Sequence, residues 1–438
     1  MYYRIETDIV SIGGGFMGLS LAHQAALAGI RTIVLENHKI KGPHYMTGFV
    51  APRADYLPYD IESVEKTAME CARWRKMFPE VIRPKFFLLP ISKNTPYGFD
   101  MFKALFELYD RKTPGRMKLL PQGHYRINQA ILEKMEPNLR KGYFTEAIGF
   151  YELTAEPNAL LQALMHRNDT FYGQYYRDIS MKCIAAYVME KGLIKELHIA
   201  TNGGDHIAIT NNRGPLIVIN AAGPWMAEAA KGLAIKLPIE FSLGIQLSVS
   251  RKYCIDTNII TFTKEGKYMA LVQKRDHLQI GPSNTPFQGN PDILGGSKED
   301  IDILVDTYEE IMEPENIKYP VAVKSAGLRV KLKLPYCPDT NRALIFQTGY
   351  ENYFAVYPGK TAMALATADE LINENIKPLL GKVAIPGIGN GKAGRHALYG
   401  NQKYRNIIKL NIAYLKSMLR LIIHTAIYFL KWPIKPRP

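Results

Sequence analysis

The amino-acid sequence predicts an α/β fold: a Rossmann-like domain built from separated segments, a second domain with a mixed β-sheet, and a C-terminal amphipathic helix. Three observations support this prediction. A strand, a glycine-rich turn, a helix and a second strand follow one another within residues 8–36. Another strand that runs into a glycine turn and a helix lies at 213–233. A basic stretch rich in aliphatic residues ends the chain at 403–438.

The length and composition indicate a folded protein with more than one core. A chain of 438 residues suits two or three domains. A hydrophobic fraction of 47% with 22% charged residues is typical of a globular protein and not of a disordered one. The polar residues 1–7 lead directly into the first strand, so no signal peptide is expected.

The cysteines give a first indication of the compartment. Cys71, Cys183, Cys254 and Cys337 lie far apart and form no C-x-x-C pair. Neither a metal site nor a disulfide framework is therefore predicted, and buried reduced thiols are the simpler expectation. This expectation favours the cytoplasm.

The formal net charge of +14 is concentrated at the C-terminal end of the chain. After Glu374 there is no Asp or Glu, whereas twelve Lys and Arg follow between Lys377 and Arg437. Residues 1–374 are close to neutral as a consequence. The charge thus describes what the tail contacts and does not describe the folded body.

Residues 8–36, DIVSIGGGFMGLSLAHQAALAGIRTIVLE, predict a β-α-β unit with a strand at 8–12, a helix at 19–27 and a strand at 31–35. The glycines between the first strand and the helix form the pattern G-x-G-x-x-G. A lone glycine pattern is weak evidence, but here both strands and the helix stand at the spacing of a dinucleotide-binding fold.

Each glycine of the pattern has a physical role. Gly13 makes the tight turn, Gly15 lets the backbone approach a pyrophosphate, and Gly18 lets the helix pack closely on the strand. Phe16 and Met17 lie between them and belong to the same predicted binding loop. The N-terminus of the helix offers free N–H groups and a partial positive charge to the phosphates.

Glu36 lies 23 residues after Gly13, at the end of the second strand. An acid at this place accepts hydrogen bonds from both hydroxyls of an adenosine ribose, and it disfavours the 2′-phosphate of NADP. An NAD enzyme would continue with further β-α units, whereas this chain continues with an irregular loop and a helix at 61–77. A strand at 84–92 then suggests another sheet. This continuation disfavours an NAD enzyme.

The nucleotide-binding fold returns later in the chain. The segment VINAAGPW places Ala222, Gly223 and Trp225 after a buried strand at 216–220. The segment at 351–372 is a strand, a Pro-Gly turn and a helix, and its turn contains three further candidate cofactor contacts, Gly359, Lys360 and Thr361.

These segments, together with SIGGGFMG, LQIGPSNTPFQGNP (278–291) and SAGLRV (325–330), resemble the FAD-dependent glycerol-3-phosphate dehydrogenase branch of the D-amino-acid oxidase superfamily. The matching pieces cover about residues 5–375 in order and spacing. The resemblance implies FAD as the cofactor and a discontinuous FAD-binding domain. It also implies that the closing helix directs its N-terminus at the flavin, where its dipole stabilises the charge of the reduced ring.

The resemblance also implies site residues. Arg329 would hold an anionic group of the substrate, Lys360 would do the same or polarise the flavin edge, and Tyr56 would line the pocket. Thr47, in the loop before it, is assigned to the cofactor. A planar guanidinium suits a carboxylate or phosphate, although a salt bridge for Arg329 and a solvated loop position for Lys360 are the alternatives.

The chain departs from that branch at two places. The family's H-G-G-x-R-Y segment is replaced by MTGFVAPRADYL, in which Arg53 is the possible substitute for the missing arginine. Gln246 stands where the family has a pocket histidine. His44 and His277 are possible bases by residue type only, and surface positions are the simpler reading of both.

The tail after a glycine-rich segment predicts an amphipathic helix. Its basic residues follow at spacings of four, seven, four, four and seven: Arg405, Lys409, Lys416, Arg420, His424 and Lys431. The stretch between charges is too short to span a bilayer. A narrow basic stripe on an apolar helix suits an anionic membrane surface. Docking on the protein's own body or on a second subunit is the alternative, and nucleic acid is not expected as a partner.

The sequence thus predicts an FAD-dependent dehydrogenase that oxidises a small anionic alcohol, glycerol-3-phosphate-like or a 2-hydroxy acid, on the cytoplasmic face of a membrane. The electron acceptor would be a membrane quinone. An amine or amino-acid oxidase of the same superfamily and an inactive flavoprotein scaffold remain alternatives. The predicted boundaries are 1–80, 151–235 and 321–378 for the FAD-binding domain, 81–150 and 236–320 for the substrate domain, 379–402 for a linker and 403–438 for the tail.

Overall fold

The computed structural model of the chain describes residues 2–37, 48–51, 61–170, 174–176, 184–200, 204–250, 255–317, 322–332, 343–347 and 349–381. Three sheets and the helices that cover them make up this part of the molecule. The tail at 403–438 lies outside the described residues. Within the described ranges, no helix is both long and apolar enough to cross a membrane.

The strands, in chain order, are β1 (Tyr2–Glu6), β2 (Ile9–Ile12), β3 (Thr32–Leu35), β4 (Arg83–Ile91), β5 (Tyr125–Asn128), β6 (Glu146–Thr154), β7 (Gln174–Tyr176), β8 (Ile184–Glu190), β9 (Leu193–Ala200), β10 (His206–Thr210), β11 (Ile217–Asn220), β12 (Ile239–Ser250), β13 (Asn258–Phe262), β14 (Tyr268–Gln273), β15 (His277–Gly281), β16 (Thr285–Phe287), β17 (Ala322–Leu332), β18 (Leu344–Gln347) and β19 (Tyr353–Tyr357). The α-helices are α1 (Phe16–Leu27), α2 (Ile61–Met77), α3 (Phe99–Lys112), α4 (Pro114–Met117), α5 (Gln129–Met135), α6 (Pro157–Thr170), α7 (Met226–Ala230), α8 (Lys298–Ile311), α9 (Ala364–Glu370) and α10 (Lys377–Gly381).

A six-stranded sheet in the order β18-β19-β11-β2-β3-β7 forms the nucleotide-binding unit. All neighbouring strands from β19 to β7 are parallel, and β18 is antiparallel to β19. Every residue of β2, β3 and β11 is buried, because helices cover one face of the sheet and the small sheet β1-β10-β9-β8 covers the other. This burial explains the short continuous apolar runs in the sequence.

Helix α1 packs against this sheet at a distance that requires glycine. A Cβ added at Gly18 would lie 1.9 Å from the carbonyl oxygen of Gly13. No movement of a side chain relieves such a contact, since both atoms belong to the main chain. The helix begins at Phe16, three residues before the predicted start, and reaches Leu27.

The substrate sheet contains β16, β12, β15, β14, β13, β4, β6 and β5 in this order, with β17 paired along β12. One face packs on α8 and the other is covered in part by α3. The antiparallel pairing of β17 with β12 runs from Ile239↔Leu332 to Ser248↔Ala322. The segment 322–332, placed with the FAD-binding domain by its position in the sequence, is therefore a strand of the substrate sheet.

Other elements agree with the prediction or refine it. Helix α2 has the predicted bounds of 61–77, and the strand predicted at 84–92 is β4. Strands β14 and β15 form an antiparallel hairpin, since the polar turn between them reverses the chain. Helix α10 continues to Gly381, so residues 379–381 of the predicted linker are helical.

Candidate active site

The carboxyl ends of four neighbouring parallel strands meet at one edge of the six-stranded sheet. Ile12 at the end of β2 is level with Leu35 of β3 and with Asn220 of β11, and Asn220 is level with Ala355 of β19. The segments that follow these strands contain the glycine loop, Glu36, the residues 221–225 and the turn 358–360. Four segments that are distant in the sequence thus converge at the place where parallel sheets bind nucleotides.

The glycine loop leaves open the space that a pyrophosphate needs. Gly13 has φ +108°, and a Cβ there would lie 2.6 Å from the carbonyl oxygen of Ala221. At Gly15, by contrast, an added Cβ would meet no heavy atom within 4 Å. Gly15 is also the N-cap of α1, and it has no side chain that could satisfy the first N–H groups of the helix.

Phe16 and Met17 contribute to this loop through the backbone. Their side chains are buried in the core beneath the sheet, where the ring of Phe16 stands edge-on to that of Trp74 at 6.3 Å. The prediction that they bind the cofactor therefore applies to the N–H groups of the first helical turn, and the side chains secure the position of that turn.

The carboxyl group of Glu36 accepts a hydrogen bond of 2.5 Å from the backbone N–H of Gly14. Burial raises the pKa of Glu36 to about 7, against the lowering effect of that hydrogen bond. A buried carboxylate of this kind is stabilised by further donors, and the two hydroxyls of a ribose are such donors. The space at Gly15, which no side chain fills, and the position of Glu36 both fit FAD at this edge.

Asn220 fixes the segment that follows β11, and its role was not apparent in the sequence. Its side-chain N–H groups donate to the carbonyl of Met226 at 2.7 Å and to the hydroxyl of Tyr353 at 2.8 Å. Its carbonyl oxygen accepts from the N–H of Ala222 at 3.3 Å. The fully buried amide thereby sets the turn that contains Ala222 and Gly223, and Gly223 adopts φ +55° within it.

The segment after β19 brings the other predicted cofactor residues to the same edge. Gly359 has φ +71°, Lys360 is half-buried at the start of a 3-10 turn, and Thr361 is the first residue of that turn. The indole N–H of Trp74 donates to the carbonyl of Ala362 at 2.9 Å. This bond attaches the turn to α2.

The face of the substrate sheet opposite α8 is polar where β12 and β17 meet. Along β12, Leu243, Ile245 and Leu247 point into the core that α8 covers. Because side chains alternate along a strand, Gly244 and Gln246 belong to the opposite face. This alternation places the predicted substrate residue Gln246 on the side of the sheet away from α8.

Arg329 lies over Gly244. Both terminal nitrogens of its guanidinium donate to the carbonyl of Ser283 at 3.1 Å, and Nη1 donates to Oδ1 of Asn284 at 3.4 Å. A Cβ at Gly244 would lie 2.6 Å from Arg329 Nη2. The glycine therefore makes room for the guanidinium, which is held by backbone and amide oxygens on a half-buried surface.

Gln246 is oriented by its neighbour on β17. The hydroxyl of Ser325 donates to Oε1 of Gln246 at 3.0 Å, and only 3% of Gln246 is exposed. Its amide nitrogen has no acceptor among the described residues. An oriented amide with an unused N–H group can donate to a polar ligand, since leaving it unpaired costs free energy.

Several site residues predicted from the sequence are not placed with the groups described above. Thr47, Arg53 and Tyr56 lie outside the described residues, and so does His44. His277 begins β15, and its Nδ1 is 2.7 Å from a carboxyl oxygen of Asp276. The structure thus joins the glycine loop, Glu36, Ala222, Gly223 and the turn 359–361 at one edge, and it joins Arg329 with Gln246 on the neighbouring sheet.

Trp225 extends from the nucleotide-binding unit towards the substrate sheet. Its indole N–H donates to Oδ1 of Asp292, in the segment between β16 and α8, at 2.8 Å. The sequence suggested Trp225 as a cofactor contact, but no local pattern indicated Asp292, Asn220, Ser283 or Ser325. Each of them forms a hydrogen bond with a residue that is distant in the sequence.

Comparison with known proteins agrees with this architecture. The chain is 26% identical over 334 residues to alpha-glycerophosphate oxidase of Lactococcus lactis, covering 72% of this chain and 52% of that protein. The chain spans about half the length of the curated relatives it matches.

Two solved structures have a similar fold. Glycerol-3-phosphate dehydrogenase of Bacillus halodurans, complexed with FAD, superposes with a TM-score of 0.64 at 18% identity, covering 87% of this chain and 66% of that one. L-proline dehydrogenase of P. horikoshii superposes with a TM-score of 0.62 at 18% identity, covering 85% and 94%.

The family described as FAD dependent oxidoreductase (DAO) matches residues 8–369. This range begins with the strand before the glycine loop and ends in α9, so it includes all four segments that meet at the sheet edge. The chain belongs to the DAO family of FAD-dependent oxidoreductases.

Proposed function

We propose that the protein is an FAD-dependent dehydrogenase that oxidises a small anionic alcohol, either glycerol-3-phosphate-like or a 2-hydroxy acid. The position of Arg329, a half-buried guanidinium on the polar face of the substrate sheet opposite α8, is the observation that carries this proposal. A planar guanidinium binds phosphate and carboxylate groups with directed hydrogen bonds. The similarity to a glycerophosphate oxidase and a glycerol-3-phosphate dehydrogenase supports the same substrate class.

The residues of the site would have separate roles in such a reaction. FAD, held by the glycine loop, Glu36 and the turn 359–361, would supply the two-electron acceptor for a hydride from the carbon that carries the hydroxyl. Arg329 binds the anionic group and so fixes the position of that carbon. The free N–H of Gln246 donates to a substrate oxygen and orients the alcohol. The hydroxyl proton passes to solvent water as the C–H bond breaks, and loss of the proton and the hydride gives a ketone.

A second candidate is the oxidation of an amine or amino acid. The similarity to L-proline dehydrogenase favours it, and a carboxylate is as good a partner for Arg329 as a phosphate. Here the nitrogen carries the proton that leaves, and the product is an imine. A third candidate is an inactive flavoprotein scaffold, which the missing H-G-G segment favours.

Anaerobic reduction of the flavin distinguishes the three candidate functions. The purified full chain, loaded with FAD, is mixed without oxygen with glycerol 3-phosphate, L-2-hydroxyglutarate, lactate, glycine, sarcosine and L-proline. We expect an anionic alcohol to bleach the flavin. Bleaching only by glycine, sarcosine or proline would replace the proposal with amine oxidation. No bleaching by any compound, with FAD demonstrably bound, would favour the scaffold.

The membrane association and the quinone acceptor are further parts of the proposal. They rest on the basic stripe and the apolar residues of 403–438. The full chain should float with vesicles that contain anionic lipid, and a chain that ends at Gly381 should not. Equal flotation of the two chains would contradict a membrane role of the tail. Faster reoxidation of the reduced protein by a soluble quinone than by oxygen is expected of a dehydrogenase.

A further inference from the structure

A second buried amide lies beside Gln246, and no step of the proposed reaction uses it. Gln279 belongs to β15, and only 6% of it is exposed. It stands opposite Ser248 in the pairing of β15 with β12, and opposed residues of an antiparallel pair point to the same face. Its neighbours Leu278 and Ile280 belong to the core that α8 covers. The side chain of Gln279 therefore lies on the face opposite α8, together with that of Gln246.

The two glutamines are near neighbours across the pair of β12 and β15. Gln246 precedes Ser248 by two residues, so it is the diagonal neighbour of Gln279 on the same face. The Cα atoms of diagonal neighbours are about 7–8 Å apart, a distance that long side chains span. The register places Gly281 next to Gln246, where it adds no side chain. Both amides can therefore contact one small molecule.

Both amides have hydrogen-bonding groups that the protein does not use. The amide nitrogen of Gln246 has no acceptor within the described ranges. Within the same ranges, the amide of Gln279 has no hydrogen-bond partner at all. Only 3% of Gln246 and 6% of Gln279 are exposed, so water has little access to either side chain. Unpaired buried polar groups cost free energy, and a ligand that pairs with both amides recovers it.

The chemistry of the two amides suits a pair of hydroxyl groups. An amide side chain has one acceptor and two N–H donors, whereas a hydroxyl both donates and accepts. Ser325 already donates to Oε1 of Gln246, so this amide acts towards a ligand as a donor. The amide of Gln279 can donate and accept. A phosphate or ionised carboxylate only accepts, so it would leave the carbonyl oxygen of Gln279 unpaired.

The order of the groups along β12 separates the amides from the anion contact. Arg329 lies over Gly244, Gln246 follows two residues later, and Gln279 is level with Ser248, two residues further on. Gln246 therefore lies between the guanidinium and Gln279 along the strand. A substrate whose anionic group contacts Arg329 and whose reacting hydroxyl contacts Gln246 would direct its next carbon towards Gln279.

Space for this part of a substrate adjoins Gln279. Its neighbour on β14 is Val272, which lines a cleft of about 500 Å³ together with Phe49 and Asn258. This volume is sufficient for a small organic anion. The cleft thus reaches the row of side chains that contains Gln279.

We propose that Gln279 binds a second hydroxyl of the substrate, beside the reacting hydroxyl at Gln246, so that the site selects anions with two neighbouring hydroxyls. This inference rests on the proposed function, in which Arg329 and Gln246 bind the anion and the reacting alcohol. It narrows the substrate class to glycerol-3-phosphate-like compounds and 2,3-dihydroxy acids. A site that forms a hydrogen bond with a hydroxyl rejects the analogue without it, because the buried amide then stays unpaired.

Two matched pairs of compounds test the proposal, since the members of each pair differ by one hydroxyl. They are glycerol 3-phosphate with 2-hydroxypropyl phosphate, and glycerate with lactate. For the FAD-loaded full chain, kcat/KM of anaerobic flavin reduction should be on the order of a hundredfold higher with the dihydroxy member. In Gln279→Met the two members should react within about threefold of each other, since the amide is absent. Gln129→Met, the same change at an exposed position of α5, should keep the full preference.

Binding measurements separate this proposal from the proposed function. Calorimetric titration of the oxidised protein with the same four compounds should show tighter binding of the dihydroxy members, and Gln279→Met should abolish the difference. This result without flavin reduction by any compound would support the role of Gln279 and contradict the proposed function alone. If Gln279→Met does not retain FAD, Gln279→Asn replaces it, because its amide is one methylene shorter and should also lose most of the preference. Equal binding within both pairs, no binding of any compound, or a preference that persists without the Gln279 side chain would overturn the proposal.

Discussion

The indole nitrogen of Trp225 donates a hydrogen bond to Oδ1 of Asp292 at 2.8 Å, and this bond connects the nucleotide-binding unit to the substrate sheet. Asp292→Ala removes the acceptor and should lower the free energy of unfolding by about 1 kcal/mol. Asp292→Asn keeps a carbonyl oxygen at the same place and should lower it less. Urea unfolding of the two variants checks this, and an equal loss in both would show that the charge of Asp292 matters and not the hydrogen bond.

Gly15 and Gly18 are predicted to fail in different ways when replaced by alanine. Gly18→Ala places a Cβ 1.9 Å from a carbonyl oxygen, so the apoprotein should lose about 2 kcal/mol of stability or more. Gly15→Ala meets no atom within 4 Å in the protein itself, so its apoprotein should unfold like the unchanged one. The methyl group instead occupies space beside the pyrophosphate, and FAD should bind on the order of tenfold more weakly.

Thermal unfolding of both apoproteins and FAD titration of Gly15→Ala separate these effects. Gly18→Ala should lower the stability of the apoprotein, whereas Gly15→Ala should lower only the affinity for FAD. If Gly15→Ala binds FAD with unchanged affinity, the pyrophosphate does not approach the backbone at this residue. If both variants destabilise the apoprotein equally, the space at Gly15 has a structural role.

The affinity for FAD should rise with pH near neutrality. The pKa of Glu36 is about 7 without cofactor, and ribose hydroxyls that donate to the carboxylate lower it, so binding releases a proton. The affinity should therefore increase severalfold between about pH 6 and about pH 8. Glu36→Gln should bind weakly and without this dependence. An equal pH dependence in Glu36→Gln would assign the titration to another group.

The carboxyl group of Glu36 has the opposite effect on the apoprotein, whose stability should fall as the pH rises. Its folded pKa lies above the ordinary value of 4.5. The stabilising contribution of protonated Glu36 is therefore complete below about pH 4.5 and is lost as the pH rises through about 7. With FAD bound, the free energy of unfolding should no longer decrease as the pH rises through about 7.

Replacement of Arg329 should affect the reaction more than the fold. Arg329→Met removes the anion contact, and kcat/KM for flavin reduction should fall about a hundredfold, whereas Arg329→Lys keeps the charge and should fall about tenfold. Gly244→Ala displaces the guanidinium, since its Cβ would lie 2.6 Å from Nη2, and should resemble Arg329→Lys. Stopped-flow reduction without oxygen measures these rates. An unchanged rate in Arg329→Met would exclude its contact with the substrate.

Gln246 is predicted to act through its unused N–H group. Gln246→Leu keeps the volume and loses only the bond from Ser325, so stability should change by about 1 kcal/mol. The rate of flavin reduction should fall by a larger factor. Ser325→Ala is the matched control, because it frees the amide to rotate but keeps the donor. A full rate in Gln246→Leu would show that the amide does not contact the substrate.

The sequence was most informative where local pattern and buried strands coincide. The unit at 8–36 combines continuous apolar runs with glycines at fixed spacing, and both properties follow from a strand covered on two faces. The turn after β11 was found for the same reason. In these segments the apolar runs and the glycine spacing directly indicate that both faces of the strand are buried.

Membership of a sheet was not available from local pattern. Strand β17 precedes β19 in the chain, yet it pairs with β12 in the other sheet. An alternating strand looks the same wherever it pairs, so 322–332 was assigned to its neighbour in sequence. The sequence also gives no indication of the partners of Trp225 and Arg329, since Asp292 and Ser283 lie 67 and 46 residues away from them along the chain.

The convergence of four segments at one sheet edge has a consequence for synthesis of the protein. The strand order β19-β11-β2-β3 requires residues 353–357 to pair with β11, which in turn pairs with β2 at residues 9–12. A nascent chain that has not yet released β19 from the ribosome lacks one wall of the cofactor site. We therefore expect FAD to bind only after residues 353–357 have been made, and a chain that ends before β19 should bind the flavin much more weakly.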